Sequence, residues 1–557
     1  MKLKGTVLVI TSLILTGCSI LSGTTKKRSS SYFSSSSGED STSNPTAIIS
    51  TDPTTYAPST GSDPYTSSSS SSTSLPDFDI TAIPVNFTAI NDFHGQLDEE
   101  PSNNANYYRA GIAKLSSYLK YRKAQGDVLI SSGDMYQGSY LCNVDKGQFV
   151  SYTFKSIGFD AYTIGNHEFD WGVGPILNNQ LALEKDFLGA NIYQYPKTGG
   201  EWVKSDLGKE YEIKTLYEGT PFEVKVGIIG VIGRDQITSI TSTYVSEYIF
   251  LDPTSIVKDI STKLRNELGC DIVVASYHTD DASEEIANID PSNGHHYVDA
   301  VFEAHTHQFE EDVVNGVPYL QAGAYSQGIS EVKLTFNKNT GEVELLSSGN
   351  EFTKSLSLEA DPVVETALNS LKDEHYSEFN TIIGSNQTGS AISTDDMSKF
   401  YAKLSYDKAL IEQPSYDIVG CMFNYSRRSL KSGDFTYSEL FETHPFLNEI
   451  YIFSVSEYDI WNEKKYTDGY LNPSYDDTKK SNDTFHDVLV YNYNGFHIGV
   501  NSNYEKYYNY FPSAFTAQAE HTPVKLSFNC FEIAVEWLET NHNITTANIS
   551  GSGFYGG

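Results

Sequence analysis

Cysteine is scarce in this chain of 557 residues: there are five, Cys18, Cys142, Cys270, Cys421 and Cys530, and no two lie close together. A redox CxxC pair and a zinc ribbon are thereby excluded. Basic residues are scarce too. Lys and Arg total 38 against 72 Asp and Glu, a net charge of −34. So acidic a chain repels nucleic-acid phosphates, whose binding requires cationic side chains to displace counterions, and it argues against loose adsorption to anionic lipid. The apolar run from Val7 to Leu15 is too short to span a bilayer. Apolar and aromatic residues, by contrast, are plentiful, at 39% and 13%, too many for a wholly disordered chain. The length suits two or three domains, each able to bury a core, and excludes a peptide hormone or a single small module.

Lys2 and Lys4 precede the apolar run, and Leu15-Thr16-Gly17-Cys18 follows it. That order suits a signal peptide. The tetrad resembles the bacterial lipoprotein signal, which implies cleavage after residue 17, lipid on Cys18 and an extracytoplasmic protein whose membrane partner is reached through that anchor. An ordinary secretory peptide cut elsewhere is the alternative. From Cys18 to about residue 80 the chain is dominated by Ser, Thr, Pro and Gly, including Ser67 to Ser72, and reads as a flexible tether. Lys26-Lys27-Arg28 reads as a solvated cluster beside the anchor. Outside the cytoplasm Cys421 and Cys530 are available to pair, and spacing alone does not decide whether they do.

Beyond the tether, short apolar runs end abruptly in polar clusters. Ile83 to Ile90 delivers Asn91-Asp92-Phe93-His94-Gly95; Val128 to Ser131 delivers Gly133-Asp134; Ala161 to Ile164 delivers Gly165-Asn166-His167. Further on, Asp271 to Ser276 delivers Tyr277-His278, and Val298 to Phe302 delivers His305-Thr306-His307. Helical patterns lie between them, such as Gly111 to Ala124, and Pro253 to Leu268 with Asp252 as N-cap and Gly269 as stop. Strands alternating with helices predict an α/β layered domain, in which ligands gather beyond the carboxyl ends of the strands. Glu331 to Leu346 reads as a closing hairpin, Pro362 to Phe379 as a helix, and a Tyr- and Asn-rich block follows; the main boundary falls near residue 360. No internal repeat is visible.

Singly, a strand-end Asp is usually a turn residue, and a lone His is more often a satisfied surface or core group. Jointly, Asp92, His94, Asp134, Asn166, His278, His305 and His307 at successive strand ends make coincidence a poor account. All are oxygen or nitrogen donors, without a thiolate. Two cations about 3.5–4 Å apart need this inventory, with a carboxylate to bridge them and imidazole or amide groups to complete each shell. Imidazole with carboxylate suits Zn, Mn, Fe or Co, and the missing thiolate argues against a closed structural zinc site.

Asn91-Asp92-Phe93-His94-Gly95, Gly133-Asp134, the six residues Gly165-Asn166-His167-Glu168-Phe169-Asp170, and His305-Thr306-His307 resemble, in that order, the motifs of the calcineurin-like metallophosphoesterases. The longer third motif and the two-domain layout narrow the resemblance to the 5′-nucleotidase / UDP-sugar hydrolase family. It implies a four-layer αββα sandwich over 81–358, a linker helix over 359–380 and a smaller α/β substrate-binding domain over 381–557. It also implies two divalent metal ions, with Asp92, His94 and His307 at one, Asn166, His278 and His305 at the other and Asp134 bridging. His167 and Asp170 resemble the family's catalytic dyad, the imidazole stabilising charge on the phosphoryl and leaving oxygens while Asp170 fixes its tautomer. Ala304 stands where the family usually has Gly, and Glu168 receives no role.

For the second domain the resemblance is looser. Asn424-Tyr425-Ser426-Arg427-Arg428 looks like a degenerate NxGGxR segment, which makes Asn424 and Arg428 candidates for the substrate phosphate, with Arg427 the competing register. His444-Pro445-Phe446-Leu447-Asn448 resembles the strand-turn that follows. Phe496 is the candidate stacking ring for a base, although the loop after it departs from the family pattern and a core role is the competing reading. The implied activity is release of phosphate from nucleoside 5′-monophosphates, and by extension nucleotide sugars or cyclic nucleotides, by water activated at the metals. The rivals are a phosphoesterase for another ester and a surface binding protein without turnover.

Overall fold

The computed structural model describes residues 82–195, 200–241, 243–279, 282–356, 358–423, 426–491, 498–500, 506–508, 513 and 523–556. Cys18, Asn424 and Phe496 lie outside the described residues. Two sheets face each other in the first half. One is built from β1 (Ala82–Ile90), β2 (Val128–Ser131), β3 (Ala161–Tyr162) and, late in the chain, two hairpin strands. The other holds β4 (Tyr211–Leu216), β5 (Val224–Ile232), β6 (Ile272–His278), β7 (Ala300–Glu303), β8 (Phe309–Val314) and β9 (Val317–Ala322). The hairpin is β10 (Gly328–Asn337) with β11 (Val343–Phe352). The strand orders are β11-β10-β1-β2-β3 and β8-β9-β7-β6-β5-β4. β1, β2 and β3 run parallel, as do β5, β6, β7 and β9, so the carboxyl ends within each parallel set share an edge.

Alternate residues of β1, namely Ile83, Val85, Phe87 and Ala89, meet Val226, Ile228, Val274 and Phe302 between the sheets. Phe87 and Phe302 bring their ring centroids to 6.0 Å. β5 and β6 are apolar almost throughout and buried on both faces, as parallel strands covered by helices must be. The outer cover of that sheet includes α2 (Pro253–Asn266), whose Val257, Ile260 and Leu264 recur at helical spacing and pack on Ile229 and Val273. Pro253 opens the helix, and the Asp252 side chain accepts the Thr254 amide. On the other outer face α1 (Gly111–Ala124) lays Ile112, Leu115 and Leu119 beside Leu129. Helix, sheet, sheet and helix are the four layers expected.

The expected helix over 362–379 is two helices, Pro362–Glu374 and Tyr376–Asn380, interrupted at His375. A straight helix would carry Phe379 about 80° around the axis from Leu371; the break lets both side chains pack on the first-half core. β3 is also shorter than expected, because the Ile164 amide turns away to the Leu188 carbonyl at 2.9 Å. The second half centres on a six-stranded sheet that includes Ile418–Phe423, Glu449–Ser456 and Phe485–Tyr491, covered by helices Thr394–Glu412 and Cys530–Asn541. Cys142, Cys270, Cys421 and Cys530 are all buried free thiols, so Cys421 and Cys530 are not paired. Among the described residues no helix is long and apolar enough to cross a membrane.

Candidate active site

All seven residues expected from the strand ends meet at one place, in two groups. In the first, Asp92 Oδ1 lies 3.5 Å from His307 Nε2 and 3.8 Å from His94 Nε2, and the two imidazole nitrogens are 3.0 Å apart. In the second, Asn166 Oδ1 lies 3.1 Å from His278 Nε2 and 3.0 Å from His305 Nδ1. Asp134 stands between them, its Oδ2 at 3.2 Å from His278 Nε2 and 3.8 Å from His94 Nε2.

The protons show what these atoms are arranged for. His94 Nδ1 lies 2.8 Å from the Gln137 carbonyl and His278 Nδ1 2.8 Å from the Ser132 carbonyl. A carbonyl only accepts, so each Nδ1 is the donor and each Nε2 turns a lone pair inward. Those lone pairs converge on Asp134 Oδ2, a buried oxygen that accepts no hydrogen bond from the described residues. Buried lone pairs aimed at one another are stabilised by a cation or by an added proton, and in this structure the Arg427 guanidinium, 2.6 Å from His94 Nε2, donates to one of them. The residues therefore fit two divalent ions, and Asp92, His94, His307 and Asp134, His278, His305 each present ligand atoms within 4.8 Å of one another. Without a cation, burial pushes the His278 imidazole down, but Asp134 outweighs it and lifts the group to about 9.

The backbone holds this array under strain. Asp92, His94, Asp134, His305 and His307 all have left-handed backbones, with φ of 47°, 50°, 54°, 83° and 62°, a conformation that costs non-glycine residues energy and gathers at functional sites. Gly165 is needed for a different reason: a Cβ there would lie 2.2 Å from Asp134 Oδ1 and 2.7 Å from the His278 ring. Glu168, unassigned from the sequence, is what steadies the Asp134 loop. Its buried carboxylate accepts the amides of Asp134 (3.0 Å), Met135 (2.8 Å) and Gly165 (2.6 Å). Asn91 donates to Asp92 Oδ2 at 2.8 Å, and the His305 amide is shared between that oxygen at 2.9 Å and Oδ1 at 3.2 Å.

His167 and Asp170 are joined by a 2.7 Å bond from Nδ1 to Oδ2. Burial lowers the imidazole pKa, but the Asp170 and Asp134 carboxylates outweigh it and the net shift is upward. Both residues border a cavity of about 660 Å³, along with Asp134, Asn166, His305 and His307. The second half adds Arg427, His444, Phe446 and Asn448 to the lining. The Phe446 ring lies 5.4 Å from the His167 ring at 23°, nearly parallel. Its turn follows a short helix, Tyr437–Thr443, that starts in a Thr436/Glu439 capping box.

Arg428 is placed differently from its expected role. Its guanidinium donates to Glu100 at 2.7 Å, Glu442 at 3.1 Å and Gln96 at 2.7 Å, so these acceptors draw it away from the cavity. Arg427, the other register, borders the cavity, with Nη2 at 2.6 Å from His94 Nε2. Two adjacent arginines offer no sequence signal of which one a non-helical segment turns inward. Tyr325, which also borders the cavity, and Phe446 carry no such signal in the sequence; the proline before Phe446 marks a turn but not the direction of the ring.

A sandwich of two sheets with paired cation sites at the strand ends defines a phosphoesterase, a class of hydrolase. Residues 85–309 match the model of the calcineurin-like phosphoesterase family. The chain is 24% identical over 434 residues to an apyrase of Tabanus yao, covering 69% of this chain and 74% of that protein. It is 27% identical over 331 residues to a 5′-nucleotidase of Diplobatis ommata, covering 54% of each chain, so it spans about half the length of that relative. The solved 5′-nucleotidase precursor from Thermus thermophilus shares the fold, with a TM-score of 0.64 at 16% identity, covering 83% of this chain and 97% of that one.

Proposed function

We propose that the protein is a 5′-nucleotidase that releases phosphate from nucleoside 5′-monophosphates outside the cell, tethered to the membrane through lipid on Cys18. The observation that carries the reading is the cavity's mixed chemistry. Cation-binding residues line it together with an arginine and an aromatic ring, Arg427 and Phe446. A phosphate ester with a flat leaving group matches both. The similarity to 5′-nucleotidases supports it.

In this reading Asp92, His94 and His307 hold one divalent ion, Asn166, His278 and His305 the other, and Asp134 serves both. Bound there, the ions supply Lewis acidity and make water a stronger nucleophile at neutral pH. Arg427 neutralises the phosphoryl oxygens in the cavity. In the displacement the bond from phosphorus to the ester oxygen breaks as the bond to the water oxygen forms, and the departing oxygen needs a proton or a positive neighbour. His167 supplies that, its Nδ1 proton held by Asp170 so that Nε2 is free to act. Phe446 offers its face to the leaving group. Asn424 and Phe496 are further proposed contacts from outside the described residues.

The test is phosphate release by the full chain in detergent, stripped of metal and resupplied with Mn or Zn, on nucleoside monophosphates, UDP-glucose and an aryl phosphate, beside N166A. Release from nucleotides well above the aryl ester, lost in N166A, is the expected result. Release from the aryl ester alone would replace the reading with a phosphoesterase of another specificity, and no release with any metal would favour a binding protein.

A further inference from the structure

Tyr325 follows β9 in a loop whose backbone is left-handed at Gly323, Tyr325 and Ser326, with φ of 66°, 53° and 60°. Two successive non-glycine residues stay in that conformation only where their surroundings over-determine it. Here the Tyr325 amide donates to the Asp92 carbonyl at 2.8 Å, the Gly111 amide donates to Ser326 Oγ at 3.1 Å, and Thr353 Oγ1 donates to the Ser326 carbonyl at 2.7 Å. The strained loop delivers the Tyr325 ring to the border of the cavity. Its centroid lies 5.2 Å from that of His94 and 5.3 Å from that of His307, the two imidazoles of the first cation-binding group.

Three guanidiniums gather on the same ring. Arg109 lies 4.3 Å from its centroid, Arg428 5.5 Å and Arg427 5.8 Å, all within the range over which an aromatic quadrupole attracts a cation. Arg109 and Arg428 also meet carboxylates, Glu100 and Glu442. Arg427 borders the cavity, with Nη2 at 2.6 Å from His94 Nε2. A carboxylate in place of Tyr325 would hold that cation tightly, but it would occupy the N–H groups and repel an anionic ester. An aromatic ring attracts a guanidinium through its π-system and leaves the N–H edge for an anion. Phe446 stands 5.6 Å from the same guanidinium, but it belongs to the same half of the chain as Arg427, whereas Tyr325 is fastened to the backbone of Asp92. We infer that Tyr325 is a positioning residue for phosphate capture: it holds Arg427 beside the first cation-binding group and leaves the charge and hydrogen-bonding edge of the guanidinium to the phosphoryl oxygens. The inference rests on the phosphate role proposed for Arg427 and deepens it.

The test is a double-mutant cycle of Y325L with R427A in the full chain, in detergent and supplied with Mn, beside Y325F. Two quantities are read: affinity for inorganic phosphate by calorimetry, and kcat/KM on AMP and on an aryl phosphate. Y325L is expected to lose about 10-fold in both, and Y325F, which keeps the ring, to recover most of that loss. With Arg427 already removed, Y325L should cost less than about 2-fold more. Mn affinity should be unchanged in Y325L, which a general disruption of the loop would not allow. If Y325L does not fold, Y325M fills the same space with a flexible apolar chain and completes the cycle. Losses that add in the double variant, weakened Mn binding in Y325L, or wild-type phosphate affinity in Y325L would each overturn the inference. A wild type that hydrolyses the aryl ester but not AMP would overturn the nucleotidase reading alone, because the phosphate cycle still decides this one. Wild-type phosphate affinity in R427A would remove Arg427 from phosphate binding and this inference with it.

Discussion

Glu168 gathers three backbone amides from two loops onto one buried carboxylate, and so determines where Asp134 and Asn166 stand. Burial and the charge of Asp134 raise its pKa to about 7. Glutamine in its place would turn an N–H₂ toward an amide it should accept from. E168Q is expected to weaken metal retention about 10- to 100-fold, as loss of supporting contacts does, seen as a higher Mn concentration for half-maximal phosphate release. An unchanged metal requirement would deny Glu168 this positioning role. H167A should behave oppositely, with kcat down by about 10²- to 10⁴-fold and metal binding, followed by calorimetry, unchanged. At this scale much was legible. The ligand types come in short motifs at strand ends, where chemistry demands oxygen and nitrogen donors together. The left-handed backbones at five of them, the Glu168 cradle and the choice between Arg427 and Arg428 were not, because each depends on which way a side chain or peptide turns once distant loops meet.

Between the two sheets of the first half, Phe87 on β1 is fully buried against Phe302. F87A should cost about 3–5 kcal/mol in chemical denaturation; a loss under about 1 kcal/mol would mean the sheets can close over the gap. In the second half Glu463 ends the helix Glu457–Glu463 and is buried. Burial, reinforced by Asp459, raises its carboxyl to about 7 from an ordinary 4.5. A raised carboxyl favours folding fully below pH 4.5 and loses that contribution as pH climbs through 7. The thermal midpoint of the wild type should therefore fall between about pH 5 and 8, and E463Q should fall less; parallel curves would exclude Glu463 as the cause. Elements were legible where the pattern was strong, as in β1, α1 and the cap of α2. The break at His375 and the departure of Ile164 from β3 answer to tertiary packing, and the second half's sheet lacks a clean alternation to read.

Across the whole chain, the first and second halves meet around the cavity through polar contacts that include the Arg428 bonds to Glu100 and Gln96 on one side and Glu442 on the other. Arg109 joins Glu100 at 3.3 Å and lies over Tyr325. Arg428 thus ties the halves together where it was expected to meet substrate. A double-mutant cycle of R428A with E100A should show a coupling of about 1 kcal/mol in denaturation; additive effects would mean the pair does not tie the halves together. The central claim is that paired cations at the strand ends perform phosphoester hydrolysis. It is tested most directly by titrating Mn into the metal-stripped full chain while following phosphate release from AMP, in the wild type and in D134N. The account predicts no release before metal, full release once two equivalents are bound, and none in D134N at the same occupancy of added metal. Full release in the presence of chelator, or wild-type release by D134N, would contradict it.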